Sequence, residues 1–337
     1  MNIVVVGGGT GTSVILNGLK RYRSLDISVV VNMTDDGGSN AVVRDEFGVL
    51  PLSDLRKSLI ALADENYNDI LRQLFVYRFP EGNSLKGHTL GNLLMLGLVD
   101  ITGSEIQTVK LLEELFHTKG RILPVTADDV RLVAKYSNGE VVRGEHLIDE
   151  VCEDKKIESF GLDNTARISG ESHDAILNAD YIVVGPGDLY TSLLACIVIN
   201  GVPEAIEKSN AELIYIGNLM SKIGQTRDMT QSDIVGTIEE YMGRKFDTIL
   251  LNNGKISDEL LEQYREDGEK IISDDMENDS RVKRGDIVAN SEYVKERGDN
   301  LKRSLVRHDS QKIADILYKE FAGPVKRIWM SLISTFY

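Results

Sequence analysis

Only two cysteines, Cys152 and Cys196, occur in the 337 residues. Their spacing is not that of a metal site, and so low a thiol count fits a reducing compartment better than a disulfide scaffold. No apolar run approaches the ~20 residues that a bilayer-spanning helix needs. The chain enters a core strand almost at once. The expectation is a cytoplasmic protein without a membrane span. Positive charge is also scarce: 38 Lys and Arg against 53 Asp and Glu leave a formal charge of −15. That disfavours nucleic acid and anionic membranes as partners. It does not disfavour a small anionic ligand, because backbone N–H groups and a few local arginines can hold phosphate. Internal repeats, low-complexity linkers, a Ser-His-Asp order and nucleic-acid motifs are missing as well. What remains is a chain with 42% apolar residues, enough for the core of one large α/β domain or two smaller ones.

The most informative stretch is Asn32-Met33-Thr34-Asp35-Asp36-Gly37-Gly38-Ser39. Ahead of it runs Asp26-Ile27-Ser28-Val29-Val30-Val31, β-branched and apolar, as a buried parallel strand requires. Two glycines after the acids permit a tight turn and close approach of a ligand. Adjacent carboxylates and a hydroxyl thus stand where a central strand ends, the edge at which open α/β sheets bind ligands. Two neighbouring carboxylates suit a hard cation such as Mg²⁺; equally, Asp and Gly serve simply to start a turn.

Along the chain, Ile3-Val4-Val5-Val6 reads as a strand, residues 7–13 as a glycine turn and 13–22 as a helix, closing a βαβ unit with the second strand. The dinucleotide spacing is imperfect, since Thr12 stands where the third glycine would be. Ser53 reads as the N-cap of a helix over 54–63. Further helices at 69–76, 88–98 and 105–116 make an insertion, about 64–118, larger than a simple crossover. Residues 121–126 resume the sheet, and 130–135 with 140–144 form a hairpin about Asn138-Gly139. A helix at 171–178 precedes a buried strand at 179–184, which ends at Gly185-Pro186-Gly187-Asp188-Leu189-Tyr190-Thr191-Ser192 and runs into an apolar helix. That is a second glycine corner with hydroxyls in the following turn, again suited to phosphate. Strands follow at 212–216, 248–251, 269–273 and 285–288, and helices at 258–264 and 311–321. The acidic run 274–279 reads as a solvated loop, and 323–337 as an apolar appendix that must pack on its own domain or on a partner.

Taken together, these stretches resemble the gluconeogenesis factor family (YvcK-like proteins) within the superfamily of 2-phospho-L-lactate transferase (CofD). The residues that carry the resemblance are 7–13, Asp35-Asp36-Gly37-Gly38-Ser39 with Leu50-Pro51 and Asp54-Leu55-Arg56, Gly87-His88-Thr89-Leu90-Gly91-Asn92-Leu93, and 185–192. Asn218-Leu219-Met220 and Arg307-His308-Asp309-Ser310 extend it, so that it covers 1–321. The resemblance implies a Rossmann-like, mostly parallel sheet with helices on both faces, forming one domain over 1–322. In the transferase branch, it implies a guanosine nucleotide and a divalent metal, with Asp36 and Asp54 as the matching ligands. In the gluconeogenesis-factor branch, it implies a UDP-sugar such as UDP-N-acetylglucosamine, and a role in carbon metabolism and cell shape. The His88-Thr89-Leu90-Gly91-Asn92 stretch favours the second branch.

The candidate nucleotide-binding set is therefore Gly8, Gly9, Thr10, Gly11 and Thr12 at the first corner, and Asp35, Gly37, Gly38 and Ser39 at the acidic turn. At the second corner it comprises Gly185, Pro186, Gly187, Leu189, Tyr190, Thr191 and Ser192. His88 would orient a phosphate or sugar hydroxyl, or else only shape its turn; Asn92 lies one helical turn on. Asn218 stands at a strand end. Arg56 and Arg307 would pair with a diphosphate, or with surface acids at ~0–1 kcal/mol each, and the resemblance tilts Arg307 toward the nucleotide-sugar. Ser310 would cap the last helix and, if phosphorylated, add ~2 negative charges beside Arg307. The expected ligand is a UDP-sugar or another nucleotide diphosphate, accompanied at most by Mg²⁺, with room for a homo-oligomer or a regulatory protein partner. The leading alternative is an Mg²⁺-dependent transferase of the 2-phospho-L-lactate type, and a further one an NAD-dependent dehydrogenase.

Overall fold

The computed structural model describes residues 1–37, 39–65, 69–82, 85–151, 155–290 and 304–333; the side chains of 39, 42, 43 and all from 322 onward lie outside that description. The chain runs β1 (Asn2–Gly7), α1 (Gly9–Leu19), β2 (Asp26–Val31), α2 (Ser39–Phe47), α3 (Ser53–Leu62), α4 (Asp69–Val76), α5 (Leu90–Thr102), α6 (Glu105–Phe116) and β3 (Arg121–Pro124). A small antiparallel unit follows, with β4 (Leu132–Tyr136), β5 (Val141–Arg143), α7 (Glu145–Asp149) and β6 (Ile157–Leu162). The second half holds α8 (Gly170–Leu177), β7 (Tyr181–Val184), a π-helical turn (Leu189–Leu194), α9 (Ala195–Ile197), α10 (Val202–Lys208) and β8 (Glu212–Ile216). It closes with α11 (Gln231–Met242), β9 (Thr248–Asn252), α12 (Asp258–Glu266), β10 (Val282–Gly285) and α13 (Ser310–Ile333).

Seven parallel strands form the main sheet in the order β10-β9-β8-β7-β1-β2-β3. Ile3 to Val6, Val29 to Val31 and Ile182 to Val184 are all buried, as strands covered on both sides must be. From β1 the chain steps one way to β2 and β3, and then returns to build β7 to β10 on the other side. Right-handed crossovers in opposite directions place helices on opposite faces, so the expected α/β architecture is what forms. The reversal falls between β1 and β7, making that crevice the topological switch point.

Several boundaries differ from the sequence reading. Helix α1 begins at Gly9, four residues early, because its first N–H finds an acceptor in Asp54 rather than in a loop. Helix α2 was not anticipated, and Leu52, not Ser53, precedes α3; the Ser53 hydroxyl instead donates to Asn40. The hairpin gains a third strand, β6, on its other edge. Residues 269–273 make only an isolated bridge between Met220 and Ile271. The last strand lies at 282–285 rather than 285–288. The acidic run 274–279 is a loop, yet a tied one: Asp274 pairs with Arg284, Asp275 accepts from Ser232 and Asp279 holds Arg281. Asp309, not Ser310, caps α13, accepting the N–H groups of Gln311 and Lys312 at 2.9 Å each. Helix α13 continues through Gly323 and Pro324 into the segment expected as an appendix. Among the described residues, no helix is long and apolar enough to cross a membrane.

Candidate functional site

Two strand-to-helix corners flank the switch point. Gly7, the last residue of β1, and Gly9 adopt positive φ (151° and 72°), and after β7 so does Gly185 (80°). The corners touch: a Cβ on Gly11 would lie 2.1 Å from the Pro186 carbonyl oxygen, and one on Gly9 3.8 Å from Ser192 Oγ. Gly8 is equally confined, since its Cβ would meet Asp54 Oδ2 at 2.4 Å. Glycine is thus required here by close approach. The second corner is braced from β8. Asn218 accepts from the Gly187 N–H at 3.1 Å and donates to its carbonyl at 2.7 Å, while Gln231 donates to the Asn218 carbonyl. The Asn218 amide therefore holds the corner's shape. The Asn32 amide ties the end of β2 to the Thr191 carbonyl, completing one continuous rim.

The acidic turn supplies the third side. Asp35 accepts from the Gly37 N–H at 2.9 Å and from Asn40 Nδ2 at 2.6 Å. Asp36 accepts from Arg131 at 3.2 Å and from the His146 N–H at 2.9 Å. Asp54 holds the Gly9 N–H at 2.9 Å and Lys57 at 2.7 Å. The aspartates expected as a metal pair are thus turned to different donors, and the charge of Asp54 acts on Asp35 and Glu145. Among the described residues, no three His, Cys, Asp or Glu side chains converge as metal ligands. So engaged, Asp36 and Asp54 are not set as ligands of one shared ion in this arrangement. Burial, with the charge of Asp54 beside it, raises the pKa of Asp35. Burial and then Asp35 itself push Glu145 well above the usual carboxylate value. Burial and the nearness of two like charges both disfavour ionisation, which is the direction each group takes.

Residues outside the sequence-derived set complete the site. Lys222, in the loop after β8, bridges Asp149 of α7 and Asp188 of the second corner, the latter at 2.7 Å. Burial works against its charge, but Asp188 and Asp149 outweigh that and raise its pKa. Gln225 joins the same network, donating to Asp149 and to Thr191 and accepting from the Tyr190 N–H. Glu145 and Asp149 stand four apart, on one face of a helix; that spacing was the available signal for them. Nothing local marked Lys222.

The remaining expected residues have other protein partners or lie outside the described residues. Arg56 is 7% exposed, its guanidinium donating to Asn92 at 2.7 Å and to the Phe75 carbonyl at 3.1 Å. It braces the insertion. His88 lies in the turn between α4 and α5, its Nδ1 buried without a partner among the described residues. Arg307 donates to the Ser304 carbonyl, and its neighbour His308 reaches the Gly217 carbonyl at 3.1 Å, beside Asn218. Gly38 and the side chain of Ser39 lie outside the described residues. A crevice of about 220 Å³ opens at the opposite rim of the sheet, but Asp26, Glu171 and Asp174 outnumber Arg121 there and would repel an anion.

Comparison with known proteins matches residues 3–291 to the family described as 2-phospho-L-lactate transferase CofD. A Thermotoga maritima protein is 42% identical over 317 residues, 94% of this chain and 98% of its own. The gluconeogenesis factor of Bacillus subtilis is 34% identical over 316 residues, 94% and 96% of the two chains. The crystal structure of a Bacillus halodurans protein superposes with a TM-score of 0.85 at 33% identity, covering 94% of this chain and 99% of that one.

Proposed function

The chain belongs to the 2-phospho-L-lactate transferase CofD family, among its gluconeogenesis factors, and from that premise we propose that it is a cytoplasmic regulator of carbon metabolism and cell shape that binds a UDP-sugar. The observation that carries the reading is the contact of the two glycine corners across the switch point, where Gly11 meets Pro186. Backbone N–H groups at a helix start and in a following turn form an anion cradle that needs no cationic surface. A diphosphate laid across both corners would meet the N-terminus of α1 on one side and the turn after Gly187 on the other. Lys222, Lys57 and Arg131 stand at the edges to offset its charge, and the upward shifts of Asp35 and Glu145 lessen the repulsion from the acidic side.

Thermal denaturation with UDP-N-acetylglucosamine, with GDP in the presence and absence of Mg²⁺, and with NAD tests this. A ligand at ~100 times its dissociation constant adds ~2.7 kcal/mol to stability, so one clear stabiliser will stand out. The expected outcome is stabilisation by the UDP-sugar without a need for metal. Stabilisation confined to GDP with Mg²⁺ favours the transferase reading instead, and stabilisation by NAD alone the dehydrogenase.

A further inference from the structure

A buried polar chain runs from the helical insertion to the site. Arg56 Nε donates to Asn92 Oδ1 at 2.7 Å, and Asn92 Nδ2 donates to Ser53 Oγ at 3.1 Å. Ser53 Oγ donates to Asn40 Oδ1 at 3.1 Å, and Asn40 Nδ2 donates to Asp35 Oδ2 at 2.6 Å. Its ends fix its direction. A guanidinium can only donate and a carboxylate can only accept, so each amide between them has one orientation that satisfies both neighbours. Arg56, Asn92 and Asn40 are 7%, 2% and 1% exposed, while Ser53 and Asp35 are half-buried. Hydrogen bonds aligned in one sense polarise one another, most strongly between a cation and an anion.

The cationic end is anchored where three helices meet. Arg56 of α3 also donates to the Phe75 carbonyl of α4. A Cβ on Gly91, in the first turn of α5, would lie 2.4 Å from that same carbonyl and 2.7 Å from Arg56 Cδ. Gly91 of α5, the Phe75 carbonyl of α4 and Arg56 of α3 thus meet at one close junction, with Asn92 bonded to the same guanidinium.

We propose that Ser53 and Asn92 are positioning residues of the ligand site: through Asn40 they hold the Asp35 carboxylate in place, and they couple occupation of the switch point to the seating of α5. The proposal rests on the ligand reading above for its probe. It adds to that reading a route by which a bound nucleotide-sugar alters the insertion, a surface that a regulator could present to a partner.

Hydrogen–deuterium exchange with UDP-N-acetylglucosamine tests it in the wild type, Ser53→Ala and Ser53→Thr. Ser53→Ala deletes one hydroxyl at a half-buried position and leaves the core intact; Ser53→Thr keeps the hydroxyl. Ligand should slow exchange over 90–102 in the wild type and in Ser53→Thr, but not in Ser53→Ala. Ser53→Ala should weaken binding about tenfold, as loss of one hydrogen bond to a charged network does, and by less than about twofold when Asp35→Ala is already present. Protection at the glycine corners without protection over 90–102 in the wild type overturns the proposal. So does an equal loss from Ser53→Ala in both backgrounds. If ligand protects no part of the wild type, the UDP-sugar reading fails, and the free proteins decide: faster exchange over both 39–47 and 90–102 in Ser53→Ala supports the coupling, and unchanged exchange over 90–102 removes it.

Discussion

The Asp54 carboxylate accepts the Gly9 N–H at 2.9 Å, placing a fixed anion at the N-terminus of α1. A helix start is the natural seat of a phosphate, because its first N–H groups are unpaired and the macrodipole favours negative charge. Here the protein's own carboxylate takes one of those donors, and Lys57 neutralises it at 2.7 Å. On the ligand reading proposed above, a diphosphate at this corner would share it with Asp54 or displace it.

Asp54→Ala separates two readings of this arrangement. The free protein should lose about 0.5–2 kcal/mol, the usual cost of removing a helix cap, read from urea denaturation. Affinity for UDP-N-acetylglucosamine, measured by calorimetry, should rise, because a competing anion has gone. In a metal-dependent transferase, with Asp54 as a ligand, the same substitution would instead lower the affinity for GDP with Mg²⁺.

A matched pair of glycine substitutions tests the contact between the corners. Gly11→Ala puts a Cβ 2.1 Å from the Pro186 carbonyl, a backbone atom that cannot step aside. Overpacking of this kind costs about 1–3 kcal/mol, and ligand stabilisation should fall with it. Gly97 lies on the exposed side of α5, where a methyl group would meet nothing within 4 Å. Gly97→Ala should therefore stabilise the protein by up to ~1 kcal/mol through helix propensity.

These contrasts bear on what could be read from the chain alone. The glycine corners were legible because close backbone approach admits no other residue, and that demand is written locally in Gly7-Gly8-Gly9 and Gly185-Pro186-Gly187. Helix α7 was not legible. Its five residues are set by Gly144 at φ 103° and by Asp36 accepting the His146 N–H, a partner 110 positions away. Arg56, expected either at a diphosphate or in a surface ion pair, is buried, and nothing near it predicts that; its acceptor, Asn92, is 36 residues on. Lys222 was missed for the same reason, since Asp149 and Asp188 become its neighbours only in the folded sheet.

His308 gives stability a defined pH dependence. Burial lowers its pKa from 6.5 to about 4, against the pull of the Gly217 carbonyl. In the unfolded chain it gains a proton as pH falls below about 6.5, while in the folded protein it stays neutral until about 4. The unfolded state then binds more protons, so the His308 contribution is intact above pH ~6.5 and is lost as pH falls toward 4, by up to ~3 kcal/mol. His308→Gln keeps a donor for Gly217 and cannot titrate. Melting temperatures from pH 4 to 7 should slope less in that variant than in the wild type; equal slopes would remove His308 as the cause.

Lys222 lies between Asp149 and Asp188, with its side chain 26% exposed. Lys222→Gln leaves two carboxylates facing each other beside the second corner, and loss of one partner from a largely buried ion pair is destabilising. Partial exposure tempers the cost to about 1–3 kcal/mol. The more telling effect is on the ligand. A diphosphate at Gly187 would then meet uncompensated negative charge, and affinity for UDP-N-acetylglucosamine should fall by at least about tenfold, the fall being steeper at low salt. Adding Asp188→Asn removes one of the exposed charges and should recover much of both losses. Loss of stability with unchanged affinity would make Lys222 a structural strut, whereas recovery of affinity by Asp188→Asn would tie its charge to an anion bound across the two corners.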